Sequence, residues 1–171
     1  MTTTSGTVLD PAHAAFIMSP VVVTAASRDA RNVPSVCIAA GRRIADDRRR
    51  ITIFVCPARA GTLVADAAAT GALAVVFCEP ASNRTLQVKG FDAVVEPLAD
   101  GDAALLAAYA EAMIPVYTAV DAPAAHARSV LGCPGGELVA ISFTPAAAFV
   151  QTPGPRAGEP LQPGALPRAG L

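Results

Sequence analysis

Apolar and β-branched residues cluster in six blocks along the chain, and proline, glycine or charged residues bound each block. Blocks of this length and composition predict buried β-strands. Short polar turns join the first three, which favours antiparallel pairing. The predicted strands are Val21–Ala26, Ser35–Ala40, Ile51–Cys56, Leu73–Glu79, Thr85–Pro97 and Glu137–Phe143, the last resuming after Pro145 as far as Val150.

Segments with few β-branched residues separate these strands and predict helices. Asp10 is an expected N-cap, because Pro11 follows it at the first helical position. Gly71 is expected to end a helix, and Gly90 to mark a bulge or a close backbone approach. Six strands with few helices predict an α+β fold, a small closed or partly closed antiparallel barrel. The predicted helices are 11–18, 57–70, one from Asp100 or Asp102 to about Ile114, and one at about 122–131.

The chain of 171 residues divides into a domain at 1–150 and a tail at 151–171. The tail holds five prolines and four glycines, so we expect it to be extended or disordered in isolation. One interpretation has it reach a partner subunit, with Arg156 approaching a bound anion. The other is a frayed terminus.

Charge and cysteine usage exclude several classes of protein. The net charge of −1 gives no electrostatic case for nucleic acid or an anionic membrane, and no apolar run is long enough to predict a membrane span. The four cysteines form no CxxC pair and only two histidines are present, so no zinc site is expected. Residues 1–7 lack the features of a signal peptide, which predicts a cytoplasmic protein with free, mostly buried thiols.

No P-loop, nucleophile elbow, HExxH or GxGxxG motif is present, so the candidate chemistry lies at strand ends. In the fifth strand Gln87 and Lys89, the only lysine, share one face with Thr85, while Leu86 and Val88 share the other. That polar face either meets a ligand or is a solvated edge.

Arginines supply the candidate anion contacts. Arg59 and Thr62 lie in the first predicted turn of a helix, where free N–H groups also favour a phosphate. A cluster from Arg42 to Arg50 could hold an anion as well. Because Asp46 and Asp47 lie within it, a solvated hairpin tip is the alternative.

Four features together resemble the pyridoxamine 5′-phosphate oxidase-like family, the FMN-binding split barrels. A short helix precedes the apolar first strand, and Asn-Val-Pro-Ser-Val at 32–36 leads into the second. Pro-Ala-Arg-Ala-Gly-Thr-Leu at 57–63 is similar to the family's phosphate-binding turn, and Leu-Gln-Val-Lys-Gly at 86–90 to its glutamine strand. The resemblance covers about residues 8–150.

The resemblance implies a six-stranded split barrel that forms a homodimer with FMN at the subunit interface. It places the 37–42 segment along the flavin, with Arg42 near the phosphate, and it gives Arg59 and Thr62 the roles of phosphate ligands. The cofactor-binding residues that it implies are Cys37, Ile38, Ala39, Arg42, Arg59, Thr62, Gln87 and Lys89.

Departures from the family pattern argue against the oxidation of pyridoxine phosphate as the expected activity. There is no tryptophan, Gly71 stands where the family often has Asn-Pro, and the closing Arg-Leu-x-Pro is absent. The chain resembles the uncharacterised branch, and no residue is an obvious catalytic acid or base. Two hypotheses stay open: an FMN-dependent oxidoreductase acting on an unknown small molecule, or a non-catalytic flavin carrier or sensor. The scarcity of histidine disfavours a haem-handling protein.

Overall fold

A computed structural model describes residues 9–161 of the chain. The described part contains nine strands, four α-helices and a short 3-10 turn at Pro57–Arg59. The helices are α1 (Pro11–Met18), α2 (Leu63–Thr70), α3 (Asp102–Thr118) and α4 (Ala124–Leu131). The strands are β1 (Val22–Arg28), β2 (Pro34–Ile38), β3 (Gly41–Ile44), β4 (Ile51–Val55), β5 (Leu73–Glu79), β6 (Arg84–Gly90), β7 (Val94–Glu96), β8 (Val139–Phe143) and β9 (Ala147–Val150).

The strands form two antiparallel sheets. A five-stranded sheet has the order β2-β1-β5-β6-β9, and a four-stranded sheet has the order β3-β4-β8-β7. Each strand pairs with its neighbours antiparallel. Fully buried residues of both sheets, such as Val75 and Val88 from one and Ile53 and Ile141 from the other, belong to a single hydrophobic core. The predicted α+β class with antiparallel strands is therefore confirmed.

The number of strands differs from the six predicted, because two apolar blocks each supply strands to both sheets and one strand forms outside the predicted blocks. That extra strand is β3: the chain leaves the five-stranded sheet after Ile38 and forms β3 in the other sheet, within the arginine-rich stretch for which a hairpin tip was one interpretation. The long predicted strand 85–97 divides into β6 and β7, and the block after Glu137 into β8 and β9. Apolar composition marks what is buried, but it does not tell where a strand bends from one sheet into the other.

A close backbone approach explains one of these bends. A Cβ atom placed on Gly90, at the end of β6, would lie 2.5 Å from the ring of Phe143 and 2.8 Å from the carbonyl oxygen of Thr144. Only glycine lets the end of β6 come this near to β8. The prediction of a close approach at this position is confirmed.

The helix ends follow the expected signals, with two differences. The Asp10 carboxylate accepts a hydrogen bond of 2.7 Å from the His13 N–H, and Gly71 ends α2 with a φ of 68°. However, the predicted helix 57–70 starts with a 3-10 turn, so α2 begins only at Leu63. Helix α3 continues past Pro115 to Thr118. The proline removes one backbone hydrogen bond of the helix, and Tyr117, two residues beyond it, is buried in the core.

The expectation of free thiols is wrong for two of the four cysteines. Cys56, at the end of β4, forms a disulfide with Cys133, which follows α4 and lies 77 residues away. Their Cα atoms are 5.3 Å apart. Cys37 and Cys78 are free. The sequence spacing gave no sign of this pair because the fold, not a local motif, brings the two segments together.

The segment after β9 turns back along that strand instead of extending away from it. The Val150 N–H donates to the Glu159 carbonyl oxygen over 2.9 Å, and the Leu161 N–H donates to that of Ala148 over 2.9 Å. Arg156 pairs with Glu159 over 3.0 Å within the turn. Leu161 packs against the core. The rest of the predicted tail, 162–171, and residues 1–8 lie outside the described residues.

None of the helices described between residues 9 and 161 has the length and apolar character needed to cross a membrane. The same residues contain no group of three or more histidine, cysteine, aspartate or glutamate side chains that could hold a metal ion.

Candidate functional site

The outer face of the five-stranded sheet carries the predicted glutamine and lysine. Leu86 and Val88 of β6 are fully buried in the core, whereas Gln87 and Lys89 are half-buried on the opposite face. The alternation predicted for this strand is therefore present. The Gln87 amide oxygen lies 3.4 Å from the Gln151 side-chain nitrogen, and the Lys89 ammonium lies 5.1 Å from the centroid of the Phe149 ring.

Strand register places Ile38 on the same face as Gln87. Ile38 pairs with Thr24 of β1, Thr24 with Val76 of β5, and Val76 with Gln87. Three strand spacings separate the two predicted contacts, which is about 14 Å. Thr24 and Val76 lie between them, one polar and one apolar side chain, so the row presents branched side chains of modest size with the Gln87 amide at one end.

The neighbours of Ile38 along the chain point elsewhere. Cys37 is buried on the core side of β2, and burial raises the pKa of its thiol to about 11. Ala39 is fully buried, and its N–H donates to the Val23 carbonyl oxygen over 2.9 Å. Any contact that these two residues make with a ligand on the outer face would therefore be through the backbone.

Arg42 is the most deeply buried cation of the predicted set, with 4% of its surface exposed. Its Nε donates to the Ile17 carbonyl oxygen over 2.8 Å, and Nη2 donates to those of Met18 and Ser19, each over 2.6 Å. These carbonyls end helix α1, where a cation is stabilised by the helix dipole. The Tyr109 ring lies 4.2 Å from the guanidinium carbon.

No carboxylate pairs with this buried guanidinium within residues 9–161, and Nη1 donates no hydrogen bond there. Burial lowers the pKa of Arg42, yet a guanidinium keeps its charge at any ordinary pH. The Tyr109 hydroxyl cannot supply a counter-charge, because it donates to the Val21 carbonyl oxygen over 2.7 Å and burial raises its pKa.

A pocket of about 220 Å³ opens beside this guanidinium. Its walls come from three segments that are distant in the sequence: the end of α1, strand β3 and helix α3. The lining is apolar apart from Arg42 and the edge of Tyr109. The residues around it are Met18, Pro20, Arg42, Leu105, Ala108, Tyr109 and Ala112.

The predicted phosphate-binding turn is occupied by contacts within the chain. The exposed Arg59 side chain donates to the carbonyl oxygens of Ser129 and Val130 at the end of α4. The Thr62 hydroxyl donates to the Asp66 carboxylate over 2.8 Å, and the same oxygen accepts from Ser35 over 2.7 Å. Arg59 and Thr62 thus lie just before α2, and each already has a partner within the chain.

The arginine cluster of 42–50 disperses in the structure. Arg43 pairs with Asp102 over 3.0 Å, Arg48 donates to the Leu9 carbonyl oxygen over 2.9 Å, and Arg50 donates to the Ser142 hydroxyl over 2.9 Å. Each of these side chains stabilises a different contact of the fold. They do not form one anion site.

A second cleft, of about 280 Å³, lies where β1 ends and β5 begins. It brings Lys89 together with Arg28 and Phe91. Sequence reasoning singled out neither Arg28 nor Phe91. Arg28 ends β1 on the outer face, two residues from Ala26. Because Ala26 pairs with Ala74 and Ala74 pairs with Lys89, only the register of three strands relates Arg28 to Lys89.

The two cavities lie at opposite ends of β1. Pro20, just before the strand, lines the Arg42 pocket, and Arg28 ends the strand at the second cleft. Six residue steps from Val22 to Arg28 span about 20 Å. The predicted residues therefore fall into separate groups: Ile38, Gln87 and Lys89 on the outer face, Arg42 in its own pocket, and Arg59 with Thr62 at the start of α2.

Comparisons with known proteins agree on the fold. No family model matches the sequence, and no curated protein matches it. A HupZ variant of Group A Streptococcus superposes with a TM-score of 0.51 at 13% identity, over 82% of this chain and 98% of that one. An F420 reductase superposes with a TM-score of 0.50 at 17% identity, over 78% and 93%. HutZ of Vibrio cholerae, described as a heme storage protein, gives 0.47 at 12% identity, over 84% and 95%.

The matched structures include proteins described as a pyridoxamine 5′-phosphate oxidase or as a member of the pyridoxinephosphate oxidase family. The resemblance of the sequence to that family is therefore confirmed at the level of the fold. At these identities the likeness concerns the fold alone.

Proposed function

We propose that this protein binds FMN on the outer face of the five-stranded sheet and transfers electrons or a hydride between it and a small organic anion. The observation that carries the proposal is the Arg42 pocket. Arg42 is buried and lines this otherwise apolar cavity, and no carboxylate within residues 9–161 pairs with its guanidinium. Such a cavity suits a substrate with one anionic group and an apolar body. That an F420 reductase has this fold supports a redox role.

The residues of the outer face fit the chemistry of FMN. The row of Ile38, Thr24 and Val76 would lie against the flat ring system, and the Gln87 amide can hydrogen-bond to the polar edge of such a ring. Lys89, on the same face, is a cation for the phosphate. We propose that the backbone at 37–39 lies along the cofactor, and that Arg59 and Thr62 would contact it only after exchanging their present partners.

The pocket lies at the end of the sheet where Ile38 is found, because Pro20 precedes β1 and Ile38 pairs with Thr24 near the start of that strand. A substrate there would therefore be next to the proposed cofactor. Bound FMN supplies the hydride or electron transfer. Arg42 would bind the substrate's anionic group through Nη1, Tyr109 would hold the guanidinium plane by stacking, and Leu105 would help to exclude water.

We also propose that two copies associate through the outer face. It exposes Val36 by 65% and Ile38 by 44%, in a sheet whose outer rows are mostly apolar. Exposed apolar patches of this kind mark interaction sites. A second copy would cover the flavin as well as the patch. Light scattering at micromolar concentration should report twice the 17.3 kDa of one chain. Monomer alone would contradict this proposal.

The absorption spectrum of the purified protein tests the cofactor. Flavin bands, with FMN released on denaturation, are the expected result, whereas an intense haem band or a colourless protein that FMN titration leaves unchanged would refute it. Anaerobic reduction by a nicotinamide, followed by oxidation with candidate carboxylates, distinguishes the oxidoreductase from a carrier. Arg42→Met should abolish saturation by the anion, and Arg49→Met, an exposed arginine, is the matched control.

A further inference from the structure

Helix α4 and the loops on either side of it join α3 to β8, and we call residues 119–138 the α4 segment. Both of its loops contain left-handed backbone. Asp121 has a φ of 61°, and Gly135 and Gly136 have φ values of 93° and 87°. Hinges of moving segments are a few loop residues next to the ends of an element. The α4 segment therefore lies between two candidate hinges.

The α4 segment has few attachments to the rest of the fold. Among residues 9–161, the backbone hydrogen bonds of 123–138 all stay within that range. The buried side chains of α4 are those of Ala127 and Leu131. A helix of eight residues is too short to be stable by itself in water, and the N-cap of α4 has no side-chain hydrogen bond. The helix therefore depends on whatever holds it to the body of the protein.

Two ties join the end of α4 to the chain that follows β4. The first is the disulfide between Cys133 and Cys56. The second comes from Arg59, whose guanidinium donates to the carbonyl oxygens of Ser129 and Val130. Because Arg59 is exposed, water competes with these hydrogen bonds, and their net contribution is modest. The covalent bond is the tie that decides whether the end of α4 stays in place.

The two cysteines belong to parts of the fold that are held very differently. Cys56 directly follows β4, which pairs with β3 on one side and with β8 on the other. Every residue of β4 is buried. Cys133 lies in the α4 segment, which has no such pairing. Loss of the disulfide should therefore release the α4 segment and leave β4 in its sheet.

The exposure of the two cysteines determines how a dithiol reduces the bond. Cys133 is partly exposed, whereas Cys56 is 5% exposed, so the attacking thiolate bonds to the Cys133 sulfur. The Cys56 sulfur leaves as a thiolate and takes a proton. The second thiol of the reductant then attacks the mixed disulfide, closes the reductant's own disulfide and releases Cys133 as a thiol. The protein gains the two electrons and two protons that the dithiol loses.

We propose that the α4 segment is a redox-controlled lid, which the Cys56–Cys133 disulfide closes and a dithiol reductant opens. In the open form Ala127 and Leu131 leave the core, and Arg59 loses its carbonyl acceptors. Exchange with an oxidised dithiol reverses each step and closes the lid. The proposal does not rest on flavin binding, because it uses only the α4 segment and its attachments.

Limited trypsin digestion tests the lid, because the α4 segment contains a single site, after Arg128. A protease cuts a helix only where the helix opens locally. The site after Lys89, within β6, is the internal reference, since cutting there requires the sheet to open. In Cys133→Ser, the ratio of cutting at Arg128 to cutting at Lys89 should rise about tenfold over the native chain. Cys78→Ser keeps the disulfide and should retain the native ratio.

Hydrogen exchange of the native chain tests whether the lid is reversible. Reduction with excess dithiol should speed the exchange of the α4 amides more than that of the β5 amides, and oxidation should restore the first rates. Three results would overturn the lid. An equal rise at Arg128 and Lys89 would mean that the disulfide stabilises the whole fold. Unchanged cutting at Arg128 would mean that other contacts hold α4, and protection that does not return on oxidation would mean that no switch exists.

Discussion

The disulfide between Cys56 and Cys133 makes a quantitative prediction about stability. It joins the end of β4 to the segment after α4 and closes a loop across 77 residues. A cross-link of this length restricts the unfolded chain, and the loop-entropy relation gives about 4.5 kcal/mol at 25 °C. Measured losses for native disulfides fall at roughly 2–5 kcal/mol. We expect reduction to lower the free energy of unfolding within that range.

The assay is urea unfolding of the oxidised protein and of the protein kept in a dithiol reductant. Cys133→Ala, unfolded without reductant, should match the reduced native chain, because either change removes the same cross-link. Cys78→Ala is the control, since Cys78 is free and outside the pair. A peptide map under non-reducing conditions should contain the Cys56–Cys133 pair.

Two results would refute this reasoning. One is a map in which all four cysteines react with an alkylating agent before reduction. The other is a difference of less than about 1 kcal/mol between the free energies of unfolding of the oxidised and the reduced protein. So small a difference would mean that the cross-link lacks the chain-entropy effect expected for a long loop.

Three further predictions follow from buried contacts. Arg42→Met should lower the free energy of unfolding by about 3 kcal/mol and Tm by about 6–12 °C, because the carbonyl oxygens at the end of α1 lose their donors. In the same thermal scan, Arg49→Met should change the free energy of unfolding by less than about 0.5 kcal/mol. Equal melting temperatures of the two variants would contradict this prediction. Gly90→Ala should lower the free energy of unfolding in urea by about 1–3 kcal/mol, since the new Cβ would lie 2.5 Å from the Phe143 ring. An unchanged free energy of unfolding would show that the ring can move. Burial raises the pKa of Cys37 to about 11, so only about one thiol in a thousand is ionised at pH 8, and iodoacetamide should label it only on unfolding; rapid native labelling would be inconsistent with this burial.

Local rules decided the parts of this protein that depend on neighbouring residues. The alternation at 86–89 assigned Leu86 and Val88 to the core and Gln87 and Lys89 to the outer face, as the structure has them. The cap at Asp10 and the left-handed stop at Gly71 were read from single residues. These features depend on hydrogen bonds and side-chain periods that extend over a few residues, so the sequence alone contains them.

The candidate site was only partly accessible from the sequence. Resemblance named Arg42 and Lys89, but their surroundings come from distant segments. The Arg42 guanidinium bonds to the Ile17 carbonyl oxygen 25 residues away, and the Tyr109 hydroxyl bonds to that of Val21 88 residues away. No pattern along the chain encodes such pairs, because they depend on how α1 and α3 pack on β3.

The tertiary structure therefore decided three things that the sequence left open. It divided the apolar blocks between two sheets, because a strand must bend where the core requires a second layer. It joined Cys56 to Cys133 across 77 residues. It also determined where the cationic side chains lie. Arg59 donates to carbonyl oxygens at the end of α4, whereas Arg28 and Lys89 line one cleft that has no acid in its described walls. Residue types set which side chains could bind an anion, and packing determined which of them are already held by other groups of the described chain.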